Sequence, residues 1–408
     1  MWVKILDATL QRLIQDGALS LTYPDGTTRH YGPGGQITTA ARVTDAAAIR
    51  AICLSPELAL GEAYMDGTFV PDDLDAFLRL MIRNRHATAM PAWVGWTDKV
   101  LFHLRHWLQR NTATRSKSNV AQHYDISDDL YRLFLDADMQ YSCAYFLRPD
   151  MTLEQAQAAK KAHIAAKLAL EPGMHVLDIG CGWGGMALTL ARDHGVRVTG
   201  VTLSENQLAT ARARAGAAHL DHLVDFRLQD YRTLDRTFDR IVSVGMLEHV
   251  GLPHYPEYFD QVAGLMDDSG VALIHTIGRC APPTTPSPWF DRYIFPGGYI
   301  PSMSELAVPI EKAGLWTCDV ETLRLHYALT VHAWQDRFRA NIDQVRKMYD
   351  DRFVRMWDYY LIACLMAFEE QPHGVFQLQL AKSVGTLPLT RDYIYEPAPI
   401  RRAIAAAE

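Results

Sequence analysis

A chain of 408 residues is long enough for one large domain and a smaller companion. Apolar residues make up 49% and charged residues 21%, which excludes a disordered polyelectrolyte, and the net charge of −7 argues against nucleic acid as the partner. Six cysteines are scattered at positions 53, 143, 181, 280, 318 and 364 with no CxxC pair and no zinc spacing, so no metal is expected and a reducing cytoplasm fits the chain.

Residues 4–15 have the spacing of an amphipathic helix, and the mixed charge of the first seventeen residues fits neither a signal peptide nor a membrane span. "LSLTYPDGTTRHYG" (19–32) reads as a hairpin, two alternating runs around Pro-Asp-Gly. A helical patch follows at 56–84. In "KVLFHLRHWLQRNTATRSKS" (99–118), Leu101, Leu104, Trp107 and Leu108 share one helical side. Lys99, Arg105, Arg110, Arg115 and Lys117 stand there without an acid, and the second half reads as a linker. No stretch reaches the roughly 18 apolar residues of a spanning helix, so any membrane contact is expected to be peripheral.

From about 174 the pattern alternates strand and helix. "HVLDIG", "RVTGVTL" and runs at 223–228, 239–244 and 271–276 read as strands. "GMALTLARDHG", "SENQLATARARAG" (capped by Ser204) and a segment near 256–266 read as helices. This order predicts a doubly wound, mostly parallel sheet. Six prolines and two glycines in 280–302 predict a long loop. Helices are expected at 329–346 and 350–369, then a last strand, "VFQLQLAKSV".

The strongest local signal is "VLDIGCGWGG" (176–185), where a strand delivers Asp178, Gly180, Gly182, Gly184 and Gly185 to a helix start. Glycines there permit positive φ and close approach of a ligand to the backbone. A dinucleotide enzyme is the rival reading of such a loop, and the acid inside the strand end is what this loop adds to the glycines. The D-x-G-x-G-x-G form instead resembles the S-adenosylmethionine loop of Rossmann-like methyltransferases. Many of those carry an acid at the tip of the second strand. Here the tip reads "VTGVTLSENQ", so ribose recognition falls to Gln207 or to backbone groups. Asp230 and Tyr231 are placed near the adenine, with a plain loop cap as the other reading of Asp230.

A second group of motifs narrows the class: "HYDISDDLYRLFLDADMQYSCAYF" (123–146), "SVGMLEHVG", "HTIG" (275–278) and "LHYALTVHAW" (325–334). Together with the glycine loop they resemble the cyclopropane-fatty-acyl-phospholipid synthase family, which includes the mycolic-acid cyclopropane synthases. The resemblance implies a class I methyltransferase fold with a seven-stranded sheet and a smaller α+β N-terminal domain. It implies methylene transfer from S-adenosylmethionine to a cis double bond in a phospholipid acyl chain, with bicarbonate as base. The matching anion ligands are Cys143, Glu248, His275, the backbone of Ile277, and Tyr327. Cofactor contacts are expected from His123, Tyr124, Tyr141, Ser142, Asp178, Gly180, Gly182, Thr202, Leu203, Gln207, Asp230 and Tyr231. Phe146, Trp289, Phe290, Tyr293 and Phe295 are candidates for an acyl channel or for ordinary core.

Taken singly, Cys143 reads as a small buried hydrophobe, His275 as a satisfied strand-end histidine, Tyr327 as core and Glu248 as the partner of an arginine. Their joint occurrence inside family-like motifs turns that reading toward a site, with His249 set aside as structural. The linear division expected is 1–98 accessory, 99–118 basic helix and linker, 119–390 catalytic and 391–408 tail. A homodimer, a cytoplasmic location and a phospholipid bilayer as partner follow from the resemblance. The alternatives are an acyl methyltransferase that leaves a methyl or methylene branch, a small-molecule methyltransferase, and an N-terminal module that only binds lipid or a partner.

Overall fold

The computed structural model describes residues 1–87 and 126–395. The basic stretch 99–118, His123, Tyr124 and the chain beyond 395 lie outside the described residues. The described chain falls into two compact units that do not follow its linear order. Residues 284–296 and 331–372 cluster with the N-terminal residues, while 297–330 and 373 onward cluster with the large sheet.

The first unit opens with α1 (Trp2–Leu13), then β1 (Gly17–Thr22), β2 (Thr28–Gly34) and β3 (Thr38–Val43). The expected hairpin is present: β1 and β2 pair antiparallel with Leu21 opposite Arg29. Asp25 closes its turn by accepting from the Thr27 N–H at 3.0 Å and the Thr27 hydroxyl at 2.6 Å, and Gly26 takes φ +80°. The sheet continues through a parallel β1–β3 pairing to β4 (Phe69–Pro71), in the order β2-β1-β3-β4. The patch expected as helix over 56–84 is α3 (Pro56–Met65) and α4 (Leu74–Ala87), parted by β4, with α2 (Ala46–Leu54) before them. Asp66 and Gly67, the latter at φ +71°, end α3 and turn the chain into β4, which continuous helical spacing does not reveal.

Two later segments pack into this unit. The helix Asp351–Glu369 takes Arg79 of α4 at its end, with Glu369 at 2.7 Å and Glu370 at 2.6 Å from the guanidinium. Tyr64 donates to Asp358 at 2.9 Å. The proline-rich stretch expected as loop contains a helix, Pro288–Tyr293, begun by Pro288 at its first position. Its Trp289 is 1% exposed and packs against α3 where Gly61 leaves room. The helix expected over 329–346 is His326–Ala340, interrupted at Asn341 before Ile342–Met348.

The second unit is the seven-stranded sheet, in the order β10-β11-β9-β8-β5-β6-β7. Its strands are β5 (His175–Ile179), β6 (Arg197–Thr202), β7 (Val224–Leu228), β8 (Phe238–Val244), β9 (Met266–Arg279), β10 (Trp316–Leu323) and β11 (His373–Ala381). Strands β5 to β9 run parallel, and β11 pairs antiparallel with both β9 and β10. Central strands are apolar on both faces, with Val176, Leu177, Ile241, Val242, Leu273 and Ile274 fully buried. From β5 the chain moves outward through β6 and β7, then returns to β8 on the other side. The reversal lies between the C-terminal ends of β5 and β8, where open α/β sheets bind ligands.

Arg240 of β8 holds the rear of this sheet. Its guanidinium donates to the carbonyls of Leu168 at 2.6 Å, Asp239 at 2.7 Å, Ser269 at 3.1 Å and Ala169 at 3.2 Å. Ala169 sits at φ +47°, a strained position for a residue with a Cβ. Arg240→Met strands the buried Leu168 carbonyl and removes the donor from three part-buried ones. Urea unfolding is expected to show a loss of about 3 kcal/mol in stability, and an unchanged midpoint would refute the clamp.

Candidate active site

At the tip of β5 the chain enters Gly180-Cys181-Gly182-Trp183-Gly184 before the helix Gly185–His194. Gly180, Gly182 and Gly184 take φ of +80°, +53° and +82°. The N–H groups of Gly180 and Cys181 both donate to Val201 O at 3.0 Å, pinning the loop to β6. A Cβ on Gly184 would sit 2.6 Å from the Phe226 ring, whereas one on Gly182 would meet nothing within 4 Å. The first glycine thus serves packing, and the second leaves space for something else. Asp128, at the start of the helix Asp128–Phe134, is tied to this loop and to the helix Glu205–Ala217. Its Oδ1 accepts from Trp183 Nε1 at 3.0 Å and from Asn206 at 2.9 Å, and its Oδ2 accepts from Thr210 at 2.9 Å.

The loop forms one wall of a cleft with about 1280 Å³ of atom-free space. Tyr141, Ser142, Asp178, Gly180, Gly182, Thr202, Leu203, Gln207, Asp230 and Tyr231 all line it. Asp178 is buried, burial pushes its carboxyl up to about 7, and its Oδ2 has no partner among the described residues. Gln207 is oriented by the Thr202 hydroxyl, which donates to its Oε1 at 3.0 Å. Asp230 caps a 3₁₀ turn through the Arg232 N–H at 3.0 Å and pairs with that guanidinium at 2.6 Å, so the loop-cap reading and a place in the cleft wall hold together. His249, set aside as structural, also lines the cleft, and burial pulls its imidazole down to about 4.

Three of the second set of expected residues, Glu248, His275 and Ile277, lie near the ends of β8 and β9. Glu248 stands in a 3₁₀ turn after β8, and its partner is no arginine: its Oε1 accepts from the Ile277 N–H at 2.6 Å. Its Oε2 is buried with no partner among the described residues, and burial pushes the carboxyl up to about 7. His275, two residues before Ile277, is 2% exposed. Gln377 Nε2 donates to its Nδ1 at 3.2 Å, which leaves the ring proton on Nε2, and that atom too is buried and unpartnered among the described residues. Burial pulls His275 down to about 3, so the ring is neutral at pH 7.

Cys143 is buried, its thiol donates to Ala144 O at 3.3 Å, and burial pushes it far above the usual thiol range, which disarms it as a nucleophile. Its segment is docked on the first turn of His326–Ala340. There the Ala144 N–H donates to Thr330 Oγ1 at 3.0 Å and the Phe146 N–H to His326 Nδ1 at 3.0 Å. Tyr327, on the same turn, is nearly buried. Direct contact thus joins Glu248 to Ile277, and backbone docking joins the Cys143 segment to the turn of Tyr327. Of the channel candidates, Trp289 packs 4.6 Å from the Tyr359 ring, Phe290 and Phe295 each lie 6.0 Å from Tyr360, and Tyr293 donates to Glu62, so all four are packed within the first unit.

The sequence reading missed Lys160 and Gln140. Lys160 is wholly buried behind the cleft and donates to Gln140 Oε1 at 2.7 Å and Ser142 Oγ at 2.8 Å. The available signal was its place, four residues from Ala156 and Ile164, in the apolar stripe of the helix Leu153–Lys167.

The cleft suits S-adenosylmethionine: a glycine loop with open space at Gly182, an orphaned acid at Asp178, and polar groups at three strand tips. The unpaired Glu248 oxygen and His275 N–H suit a small oxyanion able both to give and to accept a hydrogen bond. Among the described residues no cluster has the make-up of a metal site. Gly182→Val puts a branched side chain at positive φ into the open space. Calorimetry on the folded variant is expected to show no S-adenosylhomocysteine binding, and unchanged affinity would remove the loop from the site.

Comparison with known proteins agrees with this geometry. The mycolic acid cyclopropane synthetase family model matches residues 111–378, and a domain family of unknown function matches residues 5–88. The cyclopropane-fatty-acyl-phospholipid synthase of Escherichia coli K12 is 40% identical over 331 residues, covering 80% of this chain and 84% of that protein. A probable fatty acid methyltransferase of Pseudomonas putida is 40% identical over 292 residues, 68% of this chain and 73% of that one. A crystal structure of a mycolic acid cyclopropane synthase with S-adenosylhomocysteine and CTAB superposes with a TM-score of 0.62 at 34% identity, covering 65% of this chain and 98% of that one. The chain therefore belongs to the mycolic acid cyclopropane synthetase family and is an S-adenosylmethionine-dependent enzyme of the class I methyltransferase fold.

Proposed function

We propose that this enzyme is a cyclopropane-fatty-acyl-phospholipid synthase, delivering a methylene group to a cis double bond of a phospholipid acyl chain. The observation that carries the reading is the buried, unpaired Glu248 carboxyl oxygen and His275 N–H near the ends of two adjacent strands. An acceptor with nitrogen, oxygen or sulfur would have no use for such an anion cradle. When bound, S-adenosylmethionine supplies an electrophilic methyl carbon to the π electrons of the double bond, and bicarbonate supplies the base for the proton that leaves this carbon as the ring closes.

The chain's own residues do the rest. Asp178 and the glycine loop orient the cofactor, with Gln207 and Thr202 toward the ribose. The Ile277 N–H fixes Glu248 by one oxygen and leaves the other free to share a proton with the anion. With its carboxyl at about 7, Glu248 holds or releases that proton near neutral pH. His275, neutral, donates from Nε2. Cys143 and Tyr327 complete the cradle as further ligands, and burial keeps out the water that would quench a cationic acyl chain.

Product analysis tests the reading. Phospholipids from cells expressing the chain should gain acyl chains heavier by one methylene, with cyclopropane proton signals by NMR. Glu248→Gln should lower turnover by about 10²–10⁴ while S-adenosylhomocysteine affinity stays near normal. Branched rather than cyclic chains would assign the methyltransferase alternative.

Work on a phospholipid requires the bilayer surface, and no described helix is long and apolar enough to cross it. Residues 99–117 supply five basic residues, no acid and a Leu/Trp stripe. Each cation near an anionic leaflet contributes about 1 kcal/mol. Replacing Arg105, Arg110, Arg115 and Lys117 with Gln should abolish the salt-sensitive part of co-sedimentation with anionic vesicles. Identical binding curves for variant and parent would place the contact elsewhere. The cytoplasmic location and the homodimer remain part of this proposal, the dimer open to light scattering.

A further inference from the structure

Three lysines of the helix Leu153–Lys167 are buried, and they are treated differently. Lys161 pairs with Asp138, and Lys167 pairs with Asp319 at 3.0 Å and Glu321 at 2.6 Å. Lys160 has only neutral acceptors, Gln140 Oε1 and Ser142 Oγ, and no described carboxylate lies within ion-pair distance of it. A buried ammonium without an ion-pair partner is costly.

Asp136 and Asp138 attract that charge from a distance, but neither forms an ion pair with it. Asp138 is committed to Lys161 and Arg214, and Asp136 to the backbone N–H groups of Gln140 at 2.7 Å and Asp138 at 3.1 Å. The remaining titratable neighbours that feel Lys160 are Cys143, Asp178 and His275, of which burial keeps Cys143 and His275 uncharged at pH 7 and brings Asp178 up to about 7. Within the cleft wall, the one permanent cation among the described residues, Arg232, is held by Asp230.

Gln140 and Ser142 themselves line the cleft. Because Lys160 donates to Ser142 Oγ, the serine's own hydrogen is left to donate elsewhere, and the buried charge polarises it.

We propose that Lys160 is a positioning residue supplying positive charge for a carboxylate-type anion in the cleft, acting through the hydroxyl of Ser142, while the Gln140 amide that it also holds is tied to Asp138 at 3.0 Å. The inference rests on the cofactor reading above and assigns a residue which that reading does not use. Two anions share this chemistry, the α-carboxylate of the cofactor and bicarbonate. Burial pulls Lys160 down to about 8, and an anion beside it favours the ammonium. Anion binding therefore takes up a proton, and affinity falls as pH rises through about 8.

The test uses the full chain and its Lys160→Met and Lys160→Gln variants. Calorimetry compares S-adenosylhomocysteine with methylthioadenosine, which lacks the amino-acid portion, and turnover is titrated with bicarbonate. Both variants leave Gln140 Oε1 and Ser142 Oγ without the lysine's donors, so a thermal melt of each ligand-free variant accompanies the binding data to establish that it is folded. If the anion is the cofactor's carboxylate, both variants lose about tenfold or more in S-adenosylhomocysteine affinity, keep that for methylthioadenosine, and lose the decline above pH 8. If it is bicarbonate, both nucleoside affinities hold and half-saturation by bicarbonate rises about tenfold. Equal weakening of both nucleosides, or no change in any of the three measurements, overturns the inference alone. A parent chain that binds neither nucleoside overturns the cofactor reading and the inference with it.

Discussion

One backbone hydrogen bond organises the chemical end of this molecule: the Ile277 N–H held by Glu248 Oε1 at 2.6 Å. It joins the turn after β8 to strand β9, and so joins the cleft to the residues that follow. The Tyr299 N–H adds to the same corner by donating to the Glu248 carbonyl at 2.9 Å. A carboxylate that spends one oxygen on a main-chain donor is fixed in orientation, and its other oxygen is aimed by geometry rather than chosen by thermal motion. Without that bond Glu248 would be a buried acid free to neutralise itself wherever its rotamers led.

Burial then sets the electrostatic character of the region. It pushes Asp178 and Glu248 up toward 7, pulls His275 down to about 3 and Lys160 to about 8. Each shift favours the neutral form, because each group has left water without a full complement of partners. The site therefore holds a neutral imidazole, two carboxyls poised near neutrality and a lysine that is still mostly charged, all in an apolar setting. Such a setting has little to offer an ordinary nucleophile. It suits a cofactor that brings its own positive charge and an anion that brings a negative one. Asp138 shows the contrast: with Lys161 and Arg214 beside it, its carboxyl falls below the usual range despite burial.

Much of the site was legible along the chain. Gly180, Gly182 and Gly184 announced positive φ, and Asp178, Thr202 and Asp230 fell at or near strand tips, with Gln207 in the helix turn that follows, because alternating strand and helix patterns locate those places. The pattern failed where periodicity carries no information about neighbours. Strand β10 was not anticipated, since an edge strand with both faces partly exposed shows no apolar alternation. The parallel β1–β3 pairing, the separation of α3 from α4 and the helix inside the proline-rich stretch depend on packing partners distant in sequence.

By itself the sequence determined the alternating order from β5 to β9, the central apolar strands and the glycine loop, because these rest on local backbone preferences and on the alternation of burial. Motif resemblance added the candidate residues, but not which of them touch. Only the tertiary structure decided that Glu248 answers to the Ile277 amide instead of an arginine, and that His275 keeps an orphaned Nε2 proton. It also decided that, of the adjacent pair Lys160 and Lys161, one meets a carboxylate and the other does not. Two neighbouring lysines on a helix are equivalent in composition and charge. A helical turn sends them in different directions, and what each finds there is set by strands and loops folded from elsewhere in the chain.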